Sequence, residues 1–145
     1  MKNKKIKIYL INIIIPLIIG LLIYLLLREN TYLSGYIRKY DKFNIIIALR
    51  NIMTFPDNIF IYYIKYNFID SLWSYSLVWS VFISLKRKTK LSLLITCLFS
   101  VVFGITIEIF QFLQIIKGTF DFIDIASYLF AIVFAFLFIK RTERI

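Results

Sequence analysis

The sequence predicts an all-α integral membrane protein, with four transmembrane helices and one interfacial or re-entrant helix between the first and second spans. Three observations lead to this fold class. Apolar residues make up 61 % of the 145 residues, charged residues only 18 %, and the mean hydropathy is +0.82, whereas a soluble domain carries about 25 % charged residues. Four apolar stretches are long enough to cross a bilayer. Basic residues flank these stretches, as membrane orientation requires.

The spans are predicted within a single membrane domain over residues 1–145. The first, residues 8–27, is a run of 20 uncharged residues without a small-residue cleavage site, so we interpret it as an uncleaved span. An outer connector, residues 28–67, contains an apolar segment at 43–53 that is too short to span and is predicted to be interfacial or re-entrant. The other three spans are predicted at 68–85, 91–116 and 120–139.

The placement of basic residues predicts the orientation. Eleven of the 18 Lys and Arg residues lie at the N-terminus, in the 86–90 loop and at the C-terminus, which four spans place on one side. The positive-inside rule makes this side cytoplasmic, in a multi-pass protein of the plasma membrane. The net charge of +10 is thereby explained by the bilayer as partner and does not indicate nucleic acid. The oligomeric state stays open.

Two residue counts limit the chemistry. The chain has no histidine, which excludes histidine triads and histidine metal ligands. Its one cysteine, Cys97, cannot form an intrachain disulfide and is predicted to be a small buried residue. No cofactor or metal site is predicted.

Small residues recur every four positions in three of the predicted spans. In the third span they are Ser92, Thr96, Ser100 and Gly104, and the next position in this stripe is Glu108. Such spacing lets transmembrane helices approach closely. The first span offers only a single glycine, so we expect spans two to four to form the core and the first to be peripheral.

Polar residues of three spans are predicted to lie near the outer edge of the membrane. Counting at about 1.5 Å per residue from the cytoplasmic basic anchors places four carboxyl groups roughly 24–28 Å into a core about 30 Å thick. With Gln111, one turn beyond Glu108, they form the candidate binding site: Glu108, Gln111, Asp121, Asp124 and Asp70.

The candidate residues also have structural explanations. Asp70 and Asp121 stand at predicted helix starts, where a carboxylate can cap free N–H groups. Glu108 lies inside a predicted helix on the packing stripe, so an ionised carboxylate there needs a hydrogen-bond donor. The predicted donors are Gln111, Lys65, Arg50 and Lys117. An intramembrane acid suggests function by default, and Glu108 is therefore the leading candidate.

These residues carry a family resemblance. Gly104-Ile-Thr-Ile-Glu108-Ile-Phe-Gln111, Gly118-Thr-Phe-Asp121 and Asp124-Ile125 resemble the C-terminal signature of VanZ-like membrane proteins, which pair Glu-x-x-Gln on one span with Asp at the start of the next. The resemblance covers residues 68–139 and implies a small multi-pass protein of the bacterial envelope. Name-giving members confer low-level teicoplanin resistance. A related group of four-span proteins shares the Asp-x-x-Trp pattern of Asp70 to Trp73. No catalytic role carries over.

We expect the protein to bind or modulate a lipid-linked or cell-wall component at the outer leaflet, with glycopeptide susceptibility as one expected phenotype. One alternative is an intramembrane enzyme that uses Glu108 and Asp124 as acid and base. It requires both acids within hydrogen-bond reach of one substrate atom. The second alternative is a small cation or proton carrier, which requires a polar path to the cytoplasmic face, where the spans offer only Ser and Thr.

Overall fold

The computed structural model describes residues 2–28, 39, 48–49, 52 and 58–145. Within these residues the chain is helical and has no strand, which confirms the all-α prediction for this part. The elements in chain order are α1 (Lys2–Leu27), α2 (Ile59–Tyr63), a π-helical segment (Ile64–Phe68), α3 (Ile69–Ser84), α4 (Lys90–Phe112) and α5 (Phe122–Glu143). The predicted helix at 43–53 lies outside the described residues, apart from helical positions 48, 49 and 52.

Three of the described helices are long and apolar enough to cross a membrane: Ile6–Leu27 within α1, Lys90–Phe112 and Phe122–Glu143. The predicted second span, 68–85, corresponds to α3, which has only 16 residues. At 1.5 Å per residue α3 is about 24 Å long, less than the roughly 30 Å of a hydrocarbon core. By this measure the structure has three candidate spans rather than the predicted four, because α3 gives way to a π-helical turn at one end and to an extended Leu85 at the other.

Capping interactions set the ends of α4 and α5. Thr89 and Ser92 form a reciprocal capping box, so α4 begins one residue earlier than predicted. It stops four residues before the predicted end, and Gln114 just beyond it has left-handed backbone geometry (φ 57°). Asp121 caps α5, since its Oδ1 accepts the Ile123 N–H at 2.8 Å, and α5 therefore starts after Asp121 rather than at 120.

The first helix packs against one side of the bundle. Its contact with α3 is the most extensive helix–helix contact among the described residues. Only 6 % of its membrane-spanning stretch is buried, against 28 % and 33 % for those of α4 and α5, so the expectation of a more peripheral first span is confirmed. Tyr75 Oη donates to Asn12 Oδ1 at 2.5 Å across this contact. Gly20 lies directly against Trp73, and a β-carbon at Gly20 would be 2.7 Å from Trp73 Nε1. One glycine facing a large ring therefore brings the helices together without a repeated small-residue stripe.

An apolar core fills the half of the bundle that contains both ends of the chain, which we call the terminal half. The buried side chains are Tyr9, Val78, Trp79, Phe82, Leu93, Ile132, Ala135 and Ile139. At its edge Tyr9 Oη donates to the Glu143 carboxylate, and Lys88 Nζ lies 3.2 Å from the same hydroxyl. These contacts tie α1, the loop before α4 and the end of α5 together.

The small-residue stripe of α4 faces the protein, as its spacing predicts. Thr96, Ser100, Gly104 and Glu108 are all buried. A β-carbon at Gly104 would lie 2.9 Å from Cδ2 of Tyr128 on α5. The glycine thus makes room for the Tyr128 ring and places it one turn from Glu108.

Candidate functional site

A cavity of about 1100 Å³ lies between α1, α3, α4 and α5. Most of the polar side chains on its wall lie in the half of the bundle opposite the terminal half. The structure places all five predicted site residues on its wall: Asp70, Glu108, Gln111, Asp121 and Asp124. The residues that the sequence predicts at one depth therefore line one shared space.

Glu108 is buried (1 % exposed) and both of its carboxylate oxygens accept hydrogen bonds. Tyr128 Oη donates to Oε1 at 2.9 Å, and the Asp121 backbone N–H donates to Oε2 at 3.3 Å. The sequence predicts Gln111, Lys65 or Lys117 as donors to Glu108, and for these three residues the prediction is wrong. A tyrosine hydroxyl and a backbone amide at the start of α5 take this role, because Gly104 lets the Tyr128 ring approach.

The two aspartates expected to cap helices behave differently. Asp121 caps α5 through its side chain while its backbone N–H holds Glu108, so it connects α4 with the start of α5. Asp70 caps nothing, because α3 continues from the π-helical segment and Phe68 before it is already helical. The Asp70 carboxyl instead lines the cavity.

Asn67 is a member of the site that the sequence did not reveal. It lies in the π-helical segment, is 1 % exposed and lines the cavity. Its Nδ2 donates to Asp124 Oδ1 at 2.6 Å, which joins this segment to α5. The sequence assigned Asn67 to the end of the outer connector. No pattern in the sequence reveals it, because the π-helical segment shifts the residues before Ile69 relative to an α-helical extrapolation.

Arg28, directly after α1, holds the π-helical segment in place. Its Nε donates to the Lys65 carbonyl at 2.9 Å and its Nη2 to the Tyr66 carbonyl at 2.6 Å. A π-helical turn does not make all the i to i+4 hydrogen bonds of an α-helix, so its carbonyls can accept bonds from elsewhere. The guanidinium also lies 5.2 Å from the Tyr66 ring centroid and 5.4 Å from that of Tyr24.

Gln111 lies against the connection between α4 and α5. A β-carbon at Gly118 would be 2.8 Å from Gln111 Nε2, so the glycine allows this side chain to lie flat on the backbone. Gln111 therefore forms cavity wall and does not bond to Glu108.

Positive and negative groups share the wall of the cavity. Arg28, Lys65 and Lys117 line it together with the carboxyl groups. The carboxylates of Asp70, Asp124 and Glu108 are close enough to repel one another, and the Arg28 guanidinium offsets part of this repulsion. Arg50, another predicted donor, lies outside the described residues.

The chain matches no protein-family model, no curated protein and no solved structure.

Proposed function

We propose that this chain is a plasma-membrane protein that binds a lipid-linked or cell-wall component at the outer leaflet. The observation that carries the proposal is the cavity itself, a space of about 1100 Å³ between the helices, whose wall includes four acids, two amides and three cations. A cavity between helices with a few convergent polar groups is a typical ligand site. The acids, amides and cations of the cavity lie at its end away from the apolar terminal half, which supports a ligand that enters from the opposite leaflet.

The proposal includes four membrane crossings. α2, the π-helical segment and α3 follow one another without a break, since Ile64 and Phe68 at the junctions have helical backbone angles. Together they contain 26 residues, roughly 39 Å of helix. This length supports a second span that the 16 residues of α3 alone would not provide.

The proposed orientation places both termini and the 86–90 loop in the cytoplasm. Reporter fusions after Leu85 and after Ile139 are expected to report cytoplasm, and a fusion after Lys117 is expected to report the outside, because the basic residues concentrate at the first two positions. An extracytoplasmic signal after Leu85 would contradict the orientation and move the cavity to the inner leaflet.

Membership of the VanZ-like family, or of the related four-span group, is part of the same proposal. The residues of the resemblance include Glu108, Gln111, Asp121 and Asp124, and all four line the cavity. An effect on glycopeptide susceptibility would follow if the bound component is a cell-wall precursor or carries one.

The contacts favour binding over catalysis or transport. Glu108 uses both carboxylate oxygens for bonds to Tyr128 and Asp121, so it is poorly placed to exchange a proton with a substrate. Ser80 and Ser100 on the wall donate to carbonyls of their own helices. Ser80 lies among the core residues Val78, Trp79 and Phe82, and the basic residues of the 86–90 loop do not line the cavity, which does not suit a carrier's path.

The test of binding compares two serine-to-phenylalanine variants of one helix. Ser80 lines the cavity, whereas Ser84, one turn away, is exposed and does not. We expect lipid-linked molecules to co-purify with the wild-type protein and Ser84→Phe but to be depleted in Ser80→Phe, since the ring fills the cavity. Mass spectrometry of extracts from equal amounts of folded protein gives the comparison. Equal content in both variants would refute the cavity as the binding site.

A further inference from the structure

A buried acceptor on the cavity wall has no partner among the described residues. Asn67 Oδ1 accepts no hydrogen bond from them, although Asn67 is almost fully buried and lines the cavity. Because the Asp124 carboxylate accepts, the amide nitrogen of Asn67 faces it, and Oδ1 is directed elsewhere. Buried polar atoms without a partner are rare and require an explanation. A ligand that donates a hydrogen bond would satisfy this oxygen.

Two further acceptors neighbour Asn67. Asp70 and Asp124 line the cavity together with Asn67, and the Asp70 carboxyl is close enough to that of Asp124 for the two to interact electrostatically. Within the described parts of the chain, no hydrogen bond reaches the Asp70 carboxyl, and Asp124 uses Oδ1 alone. The carboxylates of Asp70, Asp124 and Glu108 also repel one another. The wall thus combines unused acceptors with several carboxyl groups that lie close together.

We infer that this wall binds a primary ammonium group, whose three N–H groups are directed to Asn67 Oδ1, the Asp70 carboxyl and the second oxygen of Asp124. The inference rests on the proposed function and names the chemical class of its ligand, an amine attached to a lipid. An ammonium has three donors and no acceptor, and its charge offsets the repulsion among the carboxylates. Lys65 and Lys117 on the same wall provide positive charge toward a phosphate joined to the amine.

The test measures lipid binding to lipid-stripped, full-length protein by native mass spectrometry. The probes are phosphatidylethanolamine and phosphatidylcholine with identical acyl chains, which differ by three methyl groups in place of the three N–H donors. We expect phosphatidylethanolamine to bind at least about tenfold more tightly, the factor that loss of a charge-assisted hydrogen bond produces. Asp70→Asn should abolish this preference. Glu143→Gln, which likewise replaces a carboxyl by an amide but at an acid that does not line the cavity, should retain the preference for phosphatidylethanolamine.

The outcomes separate this inference from the proposed function. Equal binding of the two lipids, or a preference that survives Asp70→Asn in folded protein, would overturn the ammonium site. If the ammonium site is overturned but Ser80→Phe still excludes a co-purifying lipid, the proposed binding function stands. Only the amine is then ruled out as the chemical class of the ligand. Displacement of phosphatidylethanolamine by soluble phosphoethanolamine would also support the ammonium site, and would indicate that the headgroup alone is recognised.

Discussion

Replacement of Glu108 by leucine is expected to be the most destabilising substitution among the cavity residues. Leucine fills the volume but accepts no hydrogen bond, so the Tyr128 hydroxyl and the Asp121 N–H lose their partner. Each orphaned donor costs about 1–3 kcal/mol when it is buried. We therefore expect a large fall in the thermal unfolding midpoint in detergent and a loss of ligand binding.

Glu108→Gln separates the structural role of Glu108 from its charge. The glutamine oxygen can accept from the Asp121 N–H, and its amide can donate to Tyr128 if the hydroxyl reverses its role. The unfolding midpoint is therefore expected to stay near that of the wild type, while binding falls because the cavity wall loses a carboxyl group. The assay compares bound ligand at matched levels of folded protein. A glutamine variant with full binding would show that Glu108 is structural and remove it from the proposed site.

Arg28→Ala is expected to have the next largest effect, through the π-helical segment rather than through the ligand. Alanine removes both bonds to the carbonyls of Lys65 and Tyr66. A hydrogen bond to a charged group contributes about 1.5–3 kcal/mol, and partial exposure of Arg28 reduces this value. Arg28→Lys should recover only part of the loss, because a single ammonium cannot reproduce the fork of a guanidinium.

Hydrogen exchange at the π-helical segment measures this effect. Amides of residues 64–68 should exchange faster in Arg28→Ala than in the wild type, and Asn67 should hold Asp124 less firmly as a result. Lys65→Ala is the matched control, because it removes a neighbouring positive charge but leaves the backbone carbonyl that Arg28 contacts. Equal protection in Arg28→Ala and the control would contradict the role of Arg28.

Helix geometry explains which features of the site could be predicted from the sequence and which could not. A helix advances by a constant rise per residue, so the distance from a basic anchor gives the depth of Glu108 or Asp124 without knowledge of the neighbours. The same constancy made the small-residue stripe of α4 a sound predictor of its buried face. It could not predict which donors reach Glu108, because that depends on how close α5 approaches and on the cap formed by Asp121.

The sequence by itself determined the helical fold and the helices that are long and apolar enough to cross a membrane, because these depend on composition and on positions along single helices. The depth of the acids stays a prediction. Only the tertiary structure decided that Asn67 bonds to Asp124, 57 residues away, and that Arg28 bonds to the carbonyl of Lys65, 37 residues away. The π-helical segment explains the difference. Its wider turn holds about one extra residue, which rotates the preceding side chains by roughly 100° relative to an α-helical extrapolation. That rotation is compatible with an inward Asn67, and no pattern along the sequence reveals it.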